Sequence, residues 1–135
     1  MTILSIDAVD QFHGSSQTLR SASLTVGAGC TVLMGRNGVG KTTLMQCIAG
    51  LLPIRAGRLM LDGADITRLP AERRAAAGIG YVPQGRQIFP LLTVEENLKI
   101  GLPARRDGQR TIPEEIHAMF PVLAEIGRAS CRERV

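Results

Sequence analysis

Aromatic residues are scarce in this chain. It has no Trp, one Tyr (Tyr81) and three Phe (Phe12, Phe89, Phe120) among 135 residues. A core must therefore rest on Leu, Ile, Val, Ala and Met. A single-stranded nucleic-acid platform, which stacks bases on aromatics set among basic residues, is not encoded. No apolar run approaches the ~20 residues of a membrane helix, and no basic-then-apolar leader opens the chain. A soluble, cytosolic protein is the expectation. Cysteine is sparse too. Cys30, Cys47 and Cys131 are odd in number and lack metal-ligand spacing, so neither a disulfide framework nor a catalytic thiol is read. Cys30 and Cys47 sit in apolar patterns and are expected as small buried hydrophobes. Charge of one sign is also lacking: 16 Lys and Arg face 12 Asp and Glu, a net +4. The arginines are scattered apart from Arg73-Arg74 and Arg105-Arg106. They read as solvated surface, with no nucleic-acid partner.

The length suffices for one domain with a real core. Thr2 to Val9 and Ser23 to Val26 read as strands, with a turn at Gly27-Ala28-Gly29. Cys30-Thr31-Val32-Leu33-Met34 is apolar and β-prone. A helix from Lys41 to Ala49 ends at Gly50, and Leu51-Leu52-Pro53 breaks the chain. Arg58 to Asp62 reads as a strand closed by a turn at Gly63. Pro70 lies in the first turn of a short helix through Ala77. Ile79-Gly80-Tyr81-Val82 reads as a buried strand, and Pro83-Gln84-Gly85 as a loop. Thr93 with Glu96 forms a capping box for a helix through Ile100. Arg105 to Gln109 reads as a polar, mobile linker, and Pro113 to Leu123 as one more helix. No internal repeat is present. These elements give an α/β fold. A small antiparallel sheet from the early strands lies beside a core holding Cys30–Met34 and Ile79–Val82.

The most specific feature is Gly35-Arg36-Asn37-Gly38-Val39-Gly40-Lys41-Thr42-Thr43, a complete G-x-x-x-x-G-K-[ST] phosphate-binding loop between a strand pattern and a helix pattern. Glycines at 35, 38 and 40 let the backbone approach an anion, so that successive N–H groups form a nest. The helix starting near Lys41 adds the positive end of its dipole. Lys41 brings a full charge to the β and γ phosphates, and the Thr42 hydroxyl suits Mg²⁺. Thr43 supports the phosphates by its hydroxyl or N–H. Glu95 and Glu96 sit in a helix first turn, where carboxylates favour the dipole, and are read as structural.

Taken with Gly80-Tyr81-Val82-Pro83-Gln84, then Gly85-Arg86-Gln87-Ile88-Phe89-Pro90, then Leu92-Thr93-Val94-Glu95-Glu96-Asn97-Leu98, this loop resembles the ATP-binding subunit of an ABC transporter. The likeness runs from near the start to about Glu125. Residues 85 to 90 resemble branched-chain amino acid importers and their urea-importing relatives, and Gly35–Gly40 with Tyr81–Gln84 leans toward the urea branch. The resemblance implies a phosphate-loop ATPase core with an N-terminal antiparallel subdomain. It implies ATP and Mg²⁺ as cofactors, and a place on the inner face of the plasma membrane. Permease subunits and a second ATP-binding subunit are the implied partners. Gln84 matches the glutamine that reaches the Mg²⁺ and the attacking water, which an amide oxygen can do. His13, before Gly14, matches the position whose aromatic stacks on adenine, with Phe12 as the alternative.

The family's apolar run closing on Asp-Glu, its Leu-Ser-Gly-Gly-Gln-like signature and its later His have no counterpart here. The expectation is therefore residues 1–125 as the N-terminal part of one ATP-binding domain, with the C-terminal half missing. Exposed apolar sheet surface, weak ATP binding and little turnover follow. Ile126 to Val135 fits nothing in the family pattern and resembles the in-frame translation of a sequencing-adapter oligonucleotide. These residues are read as a non-native tail. With Arg128, Arg132, Arg134 and Glu133 they supply +2 of the net charge. Two other readings stay open. One is a small phosphate-loop kinase, against which Gln84–Asn97 argues. The other is a non-hydrolysing regulatory fragment that docks on a permease.

Overall fold

The computed structural model describes residues 2–85, 87–105 and 107–128. Arg86, Arg106 and the adapter-like tail from Ala129 on, with Cys131, lie outside the described residues. The chain divides into two compact units, Met1–Ala75 and Ala76–Val135.

The first unit is built on a four-stranded antiparallel sheet in the order β2-β1-β3-β4: β1 Thr2–His13, β2 Ser16–Gly27, β3 Ala56–Leu61 and β4 Ala64–Asp65. β1 and β2 are longer than the sequence pattern implied. They form a hairpin in which Leu4 pairs with Val26 and His13 with Ser16. Irregular register along it, with Ala8 and Ser21 at positive φ, breaks the strict alternation that would have marked the full strands. β4 is a two-residue strand, too short for a pattern.

Helix α1, Lys41–Ala49, has the bounds that its sequence predicts. It stops at Gly50, which is left-handed at φ 80, while the Leu51 N–H reaches back to the Gln46 carbonyl at 2.9 Å. Its buried Leu44 and Cys47, with Ile6, Val9, Leu19 and Leu59 of the sheet and Ile66, form the core. α2, Ala71–Ala76, closes the unit.

The second unit carries α3 Val94–Lys99, a short 3-10 turn at Leu102–Ala104, α4 Glu114–Met119 and α5 Val122–Glu125. The single helix expected over Pro113–Leu123 is two, because Phe120 leaves helical geometry (φ −133, ψ 74) before Pro121. Asp107 ties two neighbours in the polar stretch after Ala104. Its carboxylate pairs with Arg105 and accepts the Gln109 N–H at 3.0 Å. The Arg105 guanidinium holds the Asp107 carboxyl down at about 2.

Two expectations fail. Neither Cys30–Met34 nor Ile79–Val82 forms a ladder with any described residue. An apolar run buried on both faces exists as a strand only inside a sheet that satisfies its backbone, and here Val32 is 72 %, Met34 86 % and Val82 93 % exposed. Cys30 is exposed for the same reason, whereas Cys47 is buried as expected.

Candidate phosphate-binding site

The phosphate loop lies in the first unit. α1 starts at Gly40, left-handed at φ 95 and ψ 8, with no side chain capping it and no acidic residue in its first turn. Its leading N–H groups thus lack the partners that a helix start ordinarily has. Only glycine fits at position 40. A Cβ there would stand 2.8 Å from Leu19 Cδ2 and 3.1 Å from the Thr18 carbonyl. The close seat on β2 fixes where the helix begins, and Gly38, at φ 82, turns the loop above it.

Lys41 folds back across the loop. Its ammonium donates to the Gly35 carbonyl at 2.7 Å and to the Arg36 carbonyl at 2.6 Å. An ammonium has three donors, so one remains for an anion. Gly35, Arg36, Asn37, Gly38 and Val39 are exposed, as is Thr42, while Gly40, Lys41 and Thr43 are half-buried. The arrangement can therefore receive an anion on backbone N–H groups, a helix dipole and one ammonium, with the Thr42 hydroxyl open to a cation. Among the described residues no cluster of three or more His, Cys, Asp or Glu could hold a metal. A cation here would take Thr42, phosphate oxygens and water.

His13 is exposed where β1 meets the hairpin turn. Phe12 is 37 % exposed, and the Arg55 guanidinium lies 5.7 Å from its ring centroid. Phe12 thus already has a cation over its ring. Gln84 belongs to the second unit and is exposed in irregular chain. Downstream, Asn97 braces this segment. Its Oδ1 accepts the Phe89 N–H at 2.9 Å, and its Nδ2 donates to the Phe89 carbonyl at 3.0 Å and the Thr93 carbonyl at 2.9 Å.

Sequence reasoning missed Arg74, which is 4 % exposed and not solvated surface. Nη1 donates to the Cys47 and Ile48 carbonyls at 2.6 and 2.9 Å, Nε to Leu69 at 2.8 Å and Nη2 to Thr67 at 2.9 Å. Burial pushes its pKa down, and it pushes the neighbouring Cys47 thiol up, which the Arg74 charge partly offsets. The available signal was its helical spacing with Ala71 and Ala75, both half-buried, on whose face one arginine is out of place.

A family model described as ABC transporter matches residues 19–134. The chain belongs to the ABC transporter family. This ABC chain is 42 % identical over 79 % of its length to the lipopolysaccharide export system ATP-binding protein LptB of Haemophilus influenzae, of which it covers 45 %. It is 34 % identical over 91 % of its length to the high-affinity branched-chain amino acid transport ATP-binding protein BraG of Pseudomonas aeruginosa, covering 54 %. It thus spans about half the length of these curated relatives. Among solved structures, a nucleotide-free ATP-binding cassette from an ABC transporter superposes with a TM-score of 0.75 at 27 % identity, over 100 % of this chain and 60 % of that one. The fold is that of an ABC ATP-binding domain with its N-terminal antiparallel sheet. Among the described residues no helix is long and apolar enough to cross a membrane.

Proposed function

We propose that this chain is the nucleotide-binding part of a transporter subunit that couples ATP hydrolysis to uptake of urea or branched-chain amino acids. One observation carries the nucleotide reading: α1 begins without any cap of its own, over a glycine-lined loop crossed by Lys41. The residues fit a triphosphate. Gly35, Arg36, Asn37, Gly38, Val39 and Gly40 offer backbone N–H groups, Lys41 the charge, and Thr42 and Thr43 hydroxyls. Thr42 would hold Mg²⁺ and His13 would stack on adenine, while for Gln84 the role at the metal rests on the family resemblance alone. Bound Mg²⁺ supplies charge neutralisation on the transferring phosphoryl group. Lys41 would steady the same charge from the loop side, and the family resemblance would give Gln84 the attacking water to orient.

Import is supported by the likeness to BraG over most of the chain. Export has its own support in the higher identity to LptB. Retention on a branched-chain amino acid or urea permease rather than a lipopolysaccharide-export permease decides between them. Dimerisation with a second ATP-binding subunit, and a peripheral place on the inner membrane face, follow from the same reading. The 135-residue chain itself is expected to bind ATP weakly and turn over little, since its sequence holds neither the signature motif nor the Asp-Glu run. Residues 1–125 form the first part of one ATP-binding domain in this reading, and 126–135 a foreign tail. The family match through residue 134 weighs against the tail, and a genomic read across the Glu125 codon settles it.

The direct test is calorimetric titration of the folded chain with Mg·ATP. Saturable binding that Lys41→Ala weakens about a hundredfold is expected. No heat from folded material ends the nucleotide reading.

A further inference from the structure

Among the described residues, Gln11 and Arg74 are the buried polar side chains, and Arg74 alone is charged. A cation out of water needs both its donors and its charge met. Four carbonyls meet the donors. No carboxylate meets the charge: the ion pairs among the described residues are Arg58–Asp65, Lys99–Glu95 and Arg105–Asp107. What faces Arg74 is the negative end of α1, because Cys47 and Ile48 belong to its last turn. The helix is nine residues long, roughly 13 Å at the ordinary rise, and its other end is the phosphate loop. α1 is thus seated at both ends, by Gly40 on Thr18 and Leu19 and by Arg74 on its closing carbonyls.

We propose that Arg74 is a positioning residue for the phosphate loop. Its planar fork fixes α1 by the last turn, and its buried, unpaired charge draws ligands to the far end in proportion to their negative charge. The inference rests on the nucleotide reading above. Lysine cannot replace the fork, since one ammonium cannot span carbonyls at Cys47, Thr67 and Leu69 together. It does keep the charge.

The experiment compares dissociation constants for ATP, ADP and adenosine, without magnesium, in the native chain, Arg74→Met and Arg74→Lys, with a melt of each. Arg74→Met is expected to weaken ATP on the order of tenfold, ADP less and adenosine not at all. Arg74→Lys is expected to restore the preference for ATP over ADP. A purely structural arginine would weaken ATP and ADP by the same factor, and Arg74→Lys, which loses the fork, would match Arg74→Met. If Arg74→Met does not fold, the native chain supplies the readout. The Arg74 Nε–H resonance, held on the Leu69 carbonyl, should shift when ATP saturates the native chain and stay fixed in Lys41→Ala. Equal losses of ATP and ADP, or a resonance unmoved by saturating ATP, overturn the role of Arg74 and leave nucleotide binding standing. A folded native chain that does not bind ATP overturns both.

Discussion

Two helices of this chain begin in opposite ways. α3 closes its own start: the Thr93 hydroxyl accepts the Glu96 N–H at 3.2 Å, and the Glu96 carboxylate accepts the Thr93 N–H at 2.8 Å. Glu95 adds a second acid in the first turn. α1 has neither a capping side chain nor an acid. Both starts face the same requirement, a set of N–H groups that helical bonding leaves over. α3 answers it internally and α1 leaves it to a ligand. A helix that has capped itself has no use for an anion, so the missing cap says more about function than a feature that is present.

The contrast can be broken by substitution. Lys41→Ala removes the ammonium that lies across the α1 loop and should weaken ATP about a hundredfold, the scale of one charged hydrogen bond to a phosphate; calorimetry checks it. Gly40→Ala should cost about 2 kcal/mol in urea unfolding, because the new Cβ meets Leu19 and the Thr18 carbonyl. Gly38→Ala, with nothing within 4 Å of its Cβ, should cost about 1 kcal/mol, through its positive φ alone. Thr93→Ala should cost about 1 kcal/mol of α3 stability and leave ATP affinity unchanged; amide exchange at Glu96 reports the first and titration the second.

The smallest effect is a pH dependence confined to α3. The Thr93 backbone and hydroxyl hold the Glu96 carboxyl below its ordinary 4.5. Its contribution is therefore complete above 4.5 and is lost as pH falls through the lower, folded value. Exchange at the α3 start should quicken over that range, while α1, which has no first-turn acid, should show no such step. Pyrophosphate at neutral pH should do the reverse, slowing exchange at Thr42 and Thr43 and leaving Val94 and Glu95 alone.

α1 and the capping box of α3 were legible because their signals are local. Gly40 and Gly50 bracket one helix, and Thr93 with Glu96 opens the other. The strands were less so. Bulges near Ala8 and Ser21 blur the alternation of β1 and β2, and β3 begins two residues before Arg58, where the pattern starts. Cys30–Met34 and Ile79–Val82 misled for a deeper reason. Apolar composition gives a segment the capacity to be a strand, but a ladder needs a partner, and none of the described residues provides one.

The sequence by itself determined the phosphate loop, the span of α1 and the family, since these depend on residue types at fixed short spacings. Tertiary structure alone decided that position 40 admits only glycine and that Arg74 is a buried brace. Those facts turn on chain segments distant in sequence meeting at contact distance, as Thr18 meets Gly40 and Cys47 meets Arg74. No local pattern encodes which segments will meet.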